Sequence, residues 1–62
     1  MRFVLVIQCD NAAFDGEKLV PEIARILKQT VDDIDTNTSK ILRDINGNGV
    51  GRFEFIYKNV EN

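Results

Sequence analysis

The amino-acid sequence predicts an α+β fold of order β-α-β-β, in which a three-stranded sheet carries one amphipathic helix on one face. Three observations lead to this prediction: an N-terminal run of β-branched and aromatic residues, an apolar stripe with helical spacing, and an Asn/Gly cluster between two strand-like segments. The 62 residues have room for one small domain, which we expect to cover residues 1–62.

The first strand is predicted at Arg2 to Cys9, where nearly every side chain is apolar, β-branched or aromatic. A continuous apolar run is typical of a strand with both faces buried, so we expect this strand to lie in the centre of the sheet. Its odd-numbered side chains share one face and its even-numbered side chains share the other.

The helix is predicted from Glu17 to about Thr30, with Asp15 as its N-cap. A carboxylate at that position accepts a hydrogen bond from a free N–H group of the first turn. Pro21 lacks a backbone donor, so either the first turn is bent or the regular helix begins at Pro21. The apolar stripe expected to face the core consists of Leu19, Ile23, Ile26, Leu27 and Val31.

A polar connection from Val31 to Ser39 follows the helix and carries Asp32, Asp33 and Asp35. Acidic runs at a helix end are usually solvated loop. We predict this acidic loop as a second interaction site, because its charge suits a basic partner. A metal ion is the less favoured interpretation of the same residues.

The segments Lys40–Ile45 and Val50–Lys58 are predicted to pair as a hairpin around the Asn/Gly cluster. Two registers are open. A turn on Asn48-Gly49, which we prefer, sets Leu42 opposite Phe55, whereas a turn at Gly47-Asn48 sets Leu42 opposite Phe53. Both registers keep these three side chains on one face, because a shift of two residues preserves the alternation.

The predicted sheet has two partly apolar faces, whereas the sequence predicts one helix to cover them. We expect the helix to cover the face that holds Phe3, Leu5, Ile7, Leu42, Phe53, Phe55 and Tyr57. The opposite face, named here the open sheet face, is expected to stay uncovered, with Ile45 and Val50 on it. Exposed apolar surface often marks a protein-binding site or dimer interface, although β-branched and charged residues are also simply good strand formers on a solvated face. The interaction residues predicted on the open sheet face are Val4, Val6, Ile41, Arg43, Arg52, Glu54 and Ile56.

The chain contains no histidine and a single cysteine, Cys9. The lack of histidine removes the commonest general base and most zinc sites. Cys9 has no base near it in the sequence and is expected to pack as a small apolar side chain. We therefore nominate no catalytic residue, and we predict a protein that is not an enzyme and has no cofactor and no metal.

The segment Asp44 to Phe55 partly matches an EF-hand calcium loop, with Asp44, Asn46, Asn48 and Gly49 at the first, third, fifth and sixth positions. The twelfth position requires glutamate but holds Phe55, and the flanking residues alternate like strands. A hairpin turn explains the segment better. Divalent-metal binding through the Asp44–Asn48 loop stays as the last alternative function.

The charge and the cysteine content of the chain indicate its possible partners and its cellular compartment. Ten acidic and eight basic residues give a formal charge of −2, which provides no attraction to phosphate backbones, so direct nucleic-acid binding is not expected. A single cysteine favours a reducing cytoplasm. The apolar run Phe3–Ile7 is too short for an export signal or a membrane span, so neither is expected.

The segment Arg43–Glu54 follows the pattern Arg-Asp-x-Asn-Gly-Asn-x-Val-Gly-x-aromatic-Glu. With the strand, the Asn/Ala loop and the single helix before it, the chain resembles a loose group of small, mostly uncharacterised phage and prophage proteins. It departs from that group in Pro21, in the long acidic loop from Asp32 to Ser39 and in a short tail after Phe55.

The resemblance implies a function in the cytoplasm of a host cell. Phage proteins of this size are commonly non-enzymatic factors that bind and inhibit a host protein, anti-CRISPR proteins among them. The leading hypothesis is therefore a protein that binds and sterically inhibits a host protein complex, most concretely an anti-CRISPR protein. The main alternative is a phage structural or DNA-transaction accessory protein acting as an oligomer, and the open sheet face could equally serve a homodimer.

Overall fold

The computed structural model describes residues 1–57. It contains three strands and one α-helix, together with two 3-10 turns at Ala12–Phe14 and Gly16–Lys18. The regular elements are β1 (Arg2–Ile7), α1 (Leu19–Asp33), β2 (Ser39–Arg43) and β3 (Gly49–Ile56). The predicted β-α-β-β order and α+β class are confirmed. Within the described residues no helix has the length and apolar character needed to cross a membrane.

The sheet is antiparallel with the strand order β1-β3-β2, so β3 is the central strand. The prediction that the first strand is central is wrong. The apolar run of β1 has another explanation: Leu5 and Ile7 pack against the core, whereas Val6 lies on the other face and is exposed. The apolar run of β1 therefore does not indicate a strand that is buried on both faces.

The start of α1 is irregular, as one of the two interpretations of Pro21 requires. The 3-10 turn Gly16–Lys18 precedes a regular helix that begins at Leu19, and the Asp15 side chain makes no capping hydrogen bond. Pro21 falls in the first helical turn, where backbone N–H groups have no partner inside the helix, so its missing donor costs little. The predicted end at about Thr30 is too early, because the helix continues to Asp33.

The buried side of α1 differs from the predicted stripe. Its fully buried side chains are Glu22, Ile26 and Thr30, spaced four residues apart. Leu27 is 43% exposed and Val31 is 68% exposed. Of the three strands, β2 is the one that α1 contacts most, so the helix lies closer to the β2 side of the sheet than to the β1 side.

The core lies between α1, the first 3-10 turn and the helix-side face of the sheet. Phe53 and Ile26 are its largest fully buried side chains. Cys9 is partly buried against this core, which confirms its predicted packing. The remaining buried members are Ala13, Phe14, Leu42 and Val50.

The β2–β3 hairpin adopts neither predicted register. Leu42 lies opposite Gly51 and Lys40 opposite Phe53, with an irregularity between Leu42 and Arg43. The irregularity adds one residue to β3 and turns Val50 into the core, so its predicted place on the open sheet face is wrong.

The turn that joins β2 and β3 uses one of its two Asn-Gly pairs for a left-handed residue. Gly47 has a φ of 87°, which favours glycine, and its N–H donates to the Asp44 carbonyl at 3.0 Å. Ile45 belongs to this turn rather than to a strand, so its predicted place on the open sheet face is also wrong. The shared face of Leu42 and Phe53 is confirmed, because both pack in the core.

The backbones of β1 and β3 approach closely at Gly51, and a substitution at this position tests that contact. A Cβ atom at Gly51 would overlap the Val6 carbonyl oxygen and lie 2.8 Å from the Val6 carbonyl carbon, and neither backbone atom can move aside freely. We therefore expect Gly51→Ala to lower the free energy of unfolding by about 1–3 kcal/mol, measured by urea denaturation.

Gly49→Ala is the matched control for this substitution. A Cβ atom at Gly49 would meet Ile41 Cγ2 at 3.4 Å, which is an ordinary contact. Its free energy of unfolding should change by less than that of Gly51→Ala. Equal losses in the two variants would contradict the close approach of β1 and β3.

Candidate functional site

The open sheet face is the side of the sheet that points away from α1. Cross-strand pairing places Val4 opposite Glu54, Val6 opposite Arg52, and Ile41 opposite Arg52 on the other side. Directly opposed residues of an antiparallel sheet project to the same side, so these side chains share one surface. Ile56 and Arg43 lie at its two ends, opposite Arg2 and Gly49.

The centre of the open sheet face is apolar and slightly hollow. Val6 is 48% exposed and Ile41 is 50% exposed, on the two strands that flank β3. The residue directly between them on β3 is Arg52, whereas the nearby Gly49 and Gly51 carry no side chains and help to line a shallow depression of about 450 Å³. The face can therefore receive a protruding apolar side chain of another molecule.

A charged pair on β3 lies between the two apolar side chains. Arg52 Nη2 lies 2.6 Å from Glu54 Oε1, so these two residues form an exposed ion pair along β3. Arg43 instead donates from Nη1 to the Gly47 carbonyl at 3.2 Å. The surface thus carries little net charge at its middle and offers donors and acceptors at its border.

The predicted acidic loop is only partly a loop. Asp32 and Asp33 belong to the last turn of α1, and Asp33 Oδ1 lies 3.0 Å from Lys40 Nζ. Asp32 and Asp35 remain exposed. Among residues 1–57 no three acidic, cysteine or histidine side chains are grouped closely enough to hold a metal ion.

A polar cluster that sequence reasoning missed lies at the end of the hairpin, around the two buried carboxylates of Glu22 and Asp44. It consists of Asn11, Glu22, Arg25, Asp44 and Asn48. Asp44 is only 4% exposed. Its Oδ1 accepts the N–H groups of Asn46 at 2.9 Å and Asn48 at 2.8 Å. Its Oδ2 accepts the side-chain amides of Asn11 at 2.8 Å and Asn48 at 3.2 Å.

The helix joins the same cluster through Glu22. Arg25 donates to Glu22 from Nε and Nη2, both at 2.9 Å, and Glu22 Oε2 also accepts the Ile45 N–H at 2.8 Å. Arg25 Nη2 donates in addition to the Arg43 carbonyl at 2.9 Å. One face of α1 is therefore fastened to the hairpin by charged groups. The Glu-x-x-Arg spacing in the sequence could have indicated the ion pair, but not its contact with the hairpin.

The hydrogen bonds decide the charge state of both carboxyl groups. Arg25 lowers the pKa of Glu22, against the opposing effect of burial. Burial alone would raise the pKa of Asp44, but the donors from Asn48, Asn11 and Asn46 outweigh it and hold the pKa below its usual value. Both groups are therefore stabilised as carboxylates.

The cluster has the character of a structural element rather than a reactive one. Both oxygens of Asp44 are already occupied by N–H donors, which point their hydrogens at the carboxylate. Within the described residues every buried side-chain nitrogen or oxygen has a hydrogen-bond partner. A carboxylate whose two oxygens both accept hydrogen bonds from the protein holds the donating segments of the chain together.

Comparison with known proteins finds no matching protein-family model, no matching curated protein and no matching solved structure.

We expect the stability of the protein to fall in acid because of Asp44 and Glu22. A carboxyl group whose pKa is lowered by folding stabilises the protein above its unfolded pKa, near 3.8 for Asp44 and 4.5 for Glu22, and this stability disappears as the pH falls through the lower folded pKa. The free energy of unfolding should accordingly decrease below about pH 4.5 in urea denaturation series.

The variant Asp44→Asn should be less stable than the wild type at pH 7 and should show a weaker loss of stability in acid. Asp35→Asn is the matched control, since Asp35 is exposed, and it should change stability by no more than about 0.5 kcal/mol. An acid response that is identical in wild type and Asp44→Asn would contradict the assigned role.

Calcium binding at the hairpin can be tested directly. A cation at Asp44 would have to displace the N–H donors of the turn, so we expect calcium titration to leave the amide resonances of Asp44, Asn46 and Asn48 unshifted. A saturable shift of these resonances, absent with magnesium, would instead support the metal-binding alternative.

Proposed function

We propose that this protein is a non-enzymatic binding protein that places its open sheet face on a host protein complex and sterically blocks a substrate or partner site of that complex. The observation that supports this most directly is the shallow depression lined by Val6, Ile41 and Arg52, in which two half-exposed apolar side chains flank a charged one on a surface that α1 does not cover. Exposed apolar surface with a polar border is the usual arrangement of a protein interface.

The architecture suits such a role. A three-stranded sheet presents Val6, Ile41 and the Arg52–Glu54 pair from regular backbone, so little conformational entropy is lost when a partner binds. A standard interface takes about 800 Å² from each partner, and the described surface totals 4578 Å². An interface of standard size would therefore take less than about a fifth of this surface.

The phage origin and the anti-CRISPR activity are supported by the resemblance of the Arg43–Glu54 hairpin. The partner in that case is a protein complex of the host cytoplasm. Asp32 and Asp35 provide a second contact for basic groups of the partner, whereas Asp33 is already paired with Lys40. The protein would act by covering a surface of the host complex that a substrate or partner needs.

A phage-infection assay tests the anti-CRISPR form of the proposal. We expect expression of the wild-type chain to restore plaque formation by at least about tenfold in cells whose CRISPR system targets the phage, and the double variant Val6→Lys with Ile41→Lys to lose this effect. Burying two lysines without partners would cost a binding interface well over the roughly 1.4 kcal/mol that corresponds to tenfold affinity.

Val20→Lys is the control for this assay, because Val20 is an exposed valine at the start of α1, away from the open sheet face. It should restore plaque formation as the wild type does. Full activity of the double variant would contradict the role of the open sheet face. If no CRISPR type responds to the wild-type chain, the anti-CRISPR form is wrong, and gene neighbours that encode replication or virion proteins would favour the accessory-protein alternative.

A further inference from the structure

The two edges of the sheet differ in how well they are protected against pairing with another strand. The β2 edge is five residues long, carries Lys40 and Arg43, and is distorted by the irregularity after Leu42. Short length, charged side chains and bulges are the devices by which natural sheets protect an edge. The β1 edge has six residues and no irregularity in its pairing with β3, and its sole charged residue is Arg2 at one end.

The backbone groups of β1 that point away from β3 can be assigned from the ladder. Gln8 N–H donates to the Val50 carbonyl at 2.7 Å, so the even-numbered residues of β1 direct their backbone groups toward β3. Phe3, Leu5 and Ile7 therefore direct theirs to the free edge. Within residues 1–57 no strand pairs with that edge, and the Ile7 carbonyl meets only the Cys9 thiol at 3.8 Å, a weak contact.

The side chains beside this edge are also apolar and incompletely covered. Phe3 is 43% exposed, although its ring lies 4.8 Å from that of Phe55. The helix is displaced toward β2 and leaves this side of the core face open. A second strand beside β1 would cover the Phe3 ring as well as satisfy the backbone groups.

We propose that the β1 edge pairs with the β1 edge of a second copy of this chain. The two strands run antiparallel about a two-fold axis at Leu5, so that Leu5 faces Leu5 of the other copy and Phe3 faces Ile7 of the other copy. This register uses the outward N–H and C=O groups of all three residues in both chains. It joins two three-stranded sheets into one sheet of six strands.

The charges favour a second copy in this register. Arg2 comes opposite Gln8 of the other copy, one diagonal step from Asp10, so the charged residue at the end of β1 meets a polar residue and a nearby acid rather than another arginine. Opposed residues keep the same side of the sheet, so each apolar face continues across the axis. The pairing also sets two open sheet faces side by side, and it does not depend on what those faces bind.

Sedimentation equilibrium of the full chain tests the association. We expect the mass to rise with concentration from 7.1 kDa toward twice that value. In the same range, hydrogen exchange of the Phe3, Leu5 and Ile7 amides should slow by at least about tenfold, because pairing shields them from solvent. The amide of Ile41, on the outer edge of β2, should not change.

A charge exchange tests the register. Val4 of one copy faces Val6 of the other, so Val4→Lys with Val6→Lys sets introduced lysines opposite each other, and Val4→Glu with Val6→Glu does the same with glutamates. Each variant alone should dimerise at least about tenfold more weakly, and an equimolar mixture should recover association, since opposite charges then face each other. Circular dichroism checks that both variants are folded.

Ile41→Lys separates this dimer from the proposed function. It changes the open sheet face at a distance from the β1 edge, so it should leave the dimer intact even though it weakens binding of a host partner. The proposal is overturned by a constant mass of 7.1 kDa up to millimolar concentration, by a mixture of the two charge variants that does not associate, or by loss of the dimer in Ile41→Lys. The last result would place the interface on the open sheet face.

Discussion

The buried carboxylate of Asp44 is the constraint on which the arrangement of the molecule depends. It receives hydrogen bonds from the loop before the helix, through Asn11, and from the hairpin turn, through Asn46 and Asn48. Glu22 adds α1 to the same place. In a domain with so small a hydrophobic core, nondirectional apolar packing alone gives little positional information. The directional hydrogen bonds among the loop before the helix, α1 and the hairpin turn fix the relative positions of these three segments.

This constraint explains the position of the helix. A helix placed by its apolar stripe alone would turn Leu27 and Val31 toward the sheet. Glu22 and Arg25 instead draw the neighbouring face of α1 toward the hairpin, and the helix comes to lie over β2. The consequence is visible on the surface, since Leu27, Val31 and Phe3 all retain substantial exposure. The polar cluster thus specifies geometry at the expense of some apolar burial.

The sequence predicted the elements well and their arrangement less well, for physical reasons. Periodicity identified β1, α1 and the hairpin because alternation and helical spacing are local properties. The predicted registers of β2 and β3 were wrong because the connection between the strands is longer than a tight turn and β3 contains an extra residue opposite the Leu42–Arg43 step. Alternation placed the residues of the open sheet face correctly except Val50, which is the extra residue at that irregularity, and Ile45, which belongs to the turn. The buried cluster could not be predicted, because Asp44 and Asn11 are 33 residues apart in the sequence.

The central position of β3 has a consequence for how the chain reaches its native state. The strand that pairs with both neighbours is the last of the three described strands in chain order, so β1 and α1 are synthesised before either ladder can begin. The β2–β3 hairpin is local in sequence, whereas joining β1 to β3 closes a loop of most of the chain and has a larger entropic cost. Until that closure, the apolar residues of β1 are exposed along their whole length. Neither ladder can therefore form before β3 has been synthesised, and the β1 segment is the part that a chaperone would have most reason to shield.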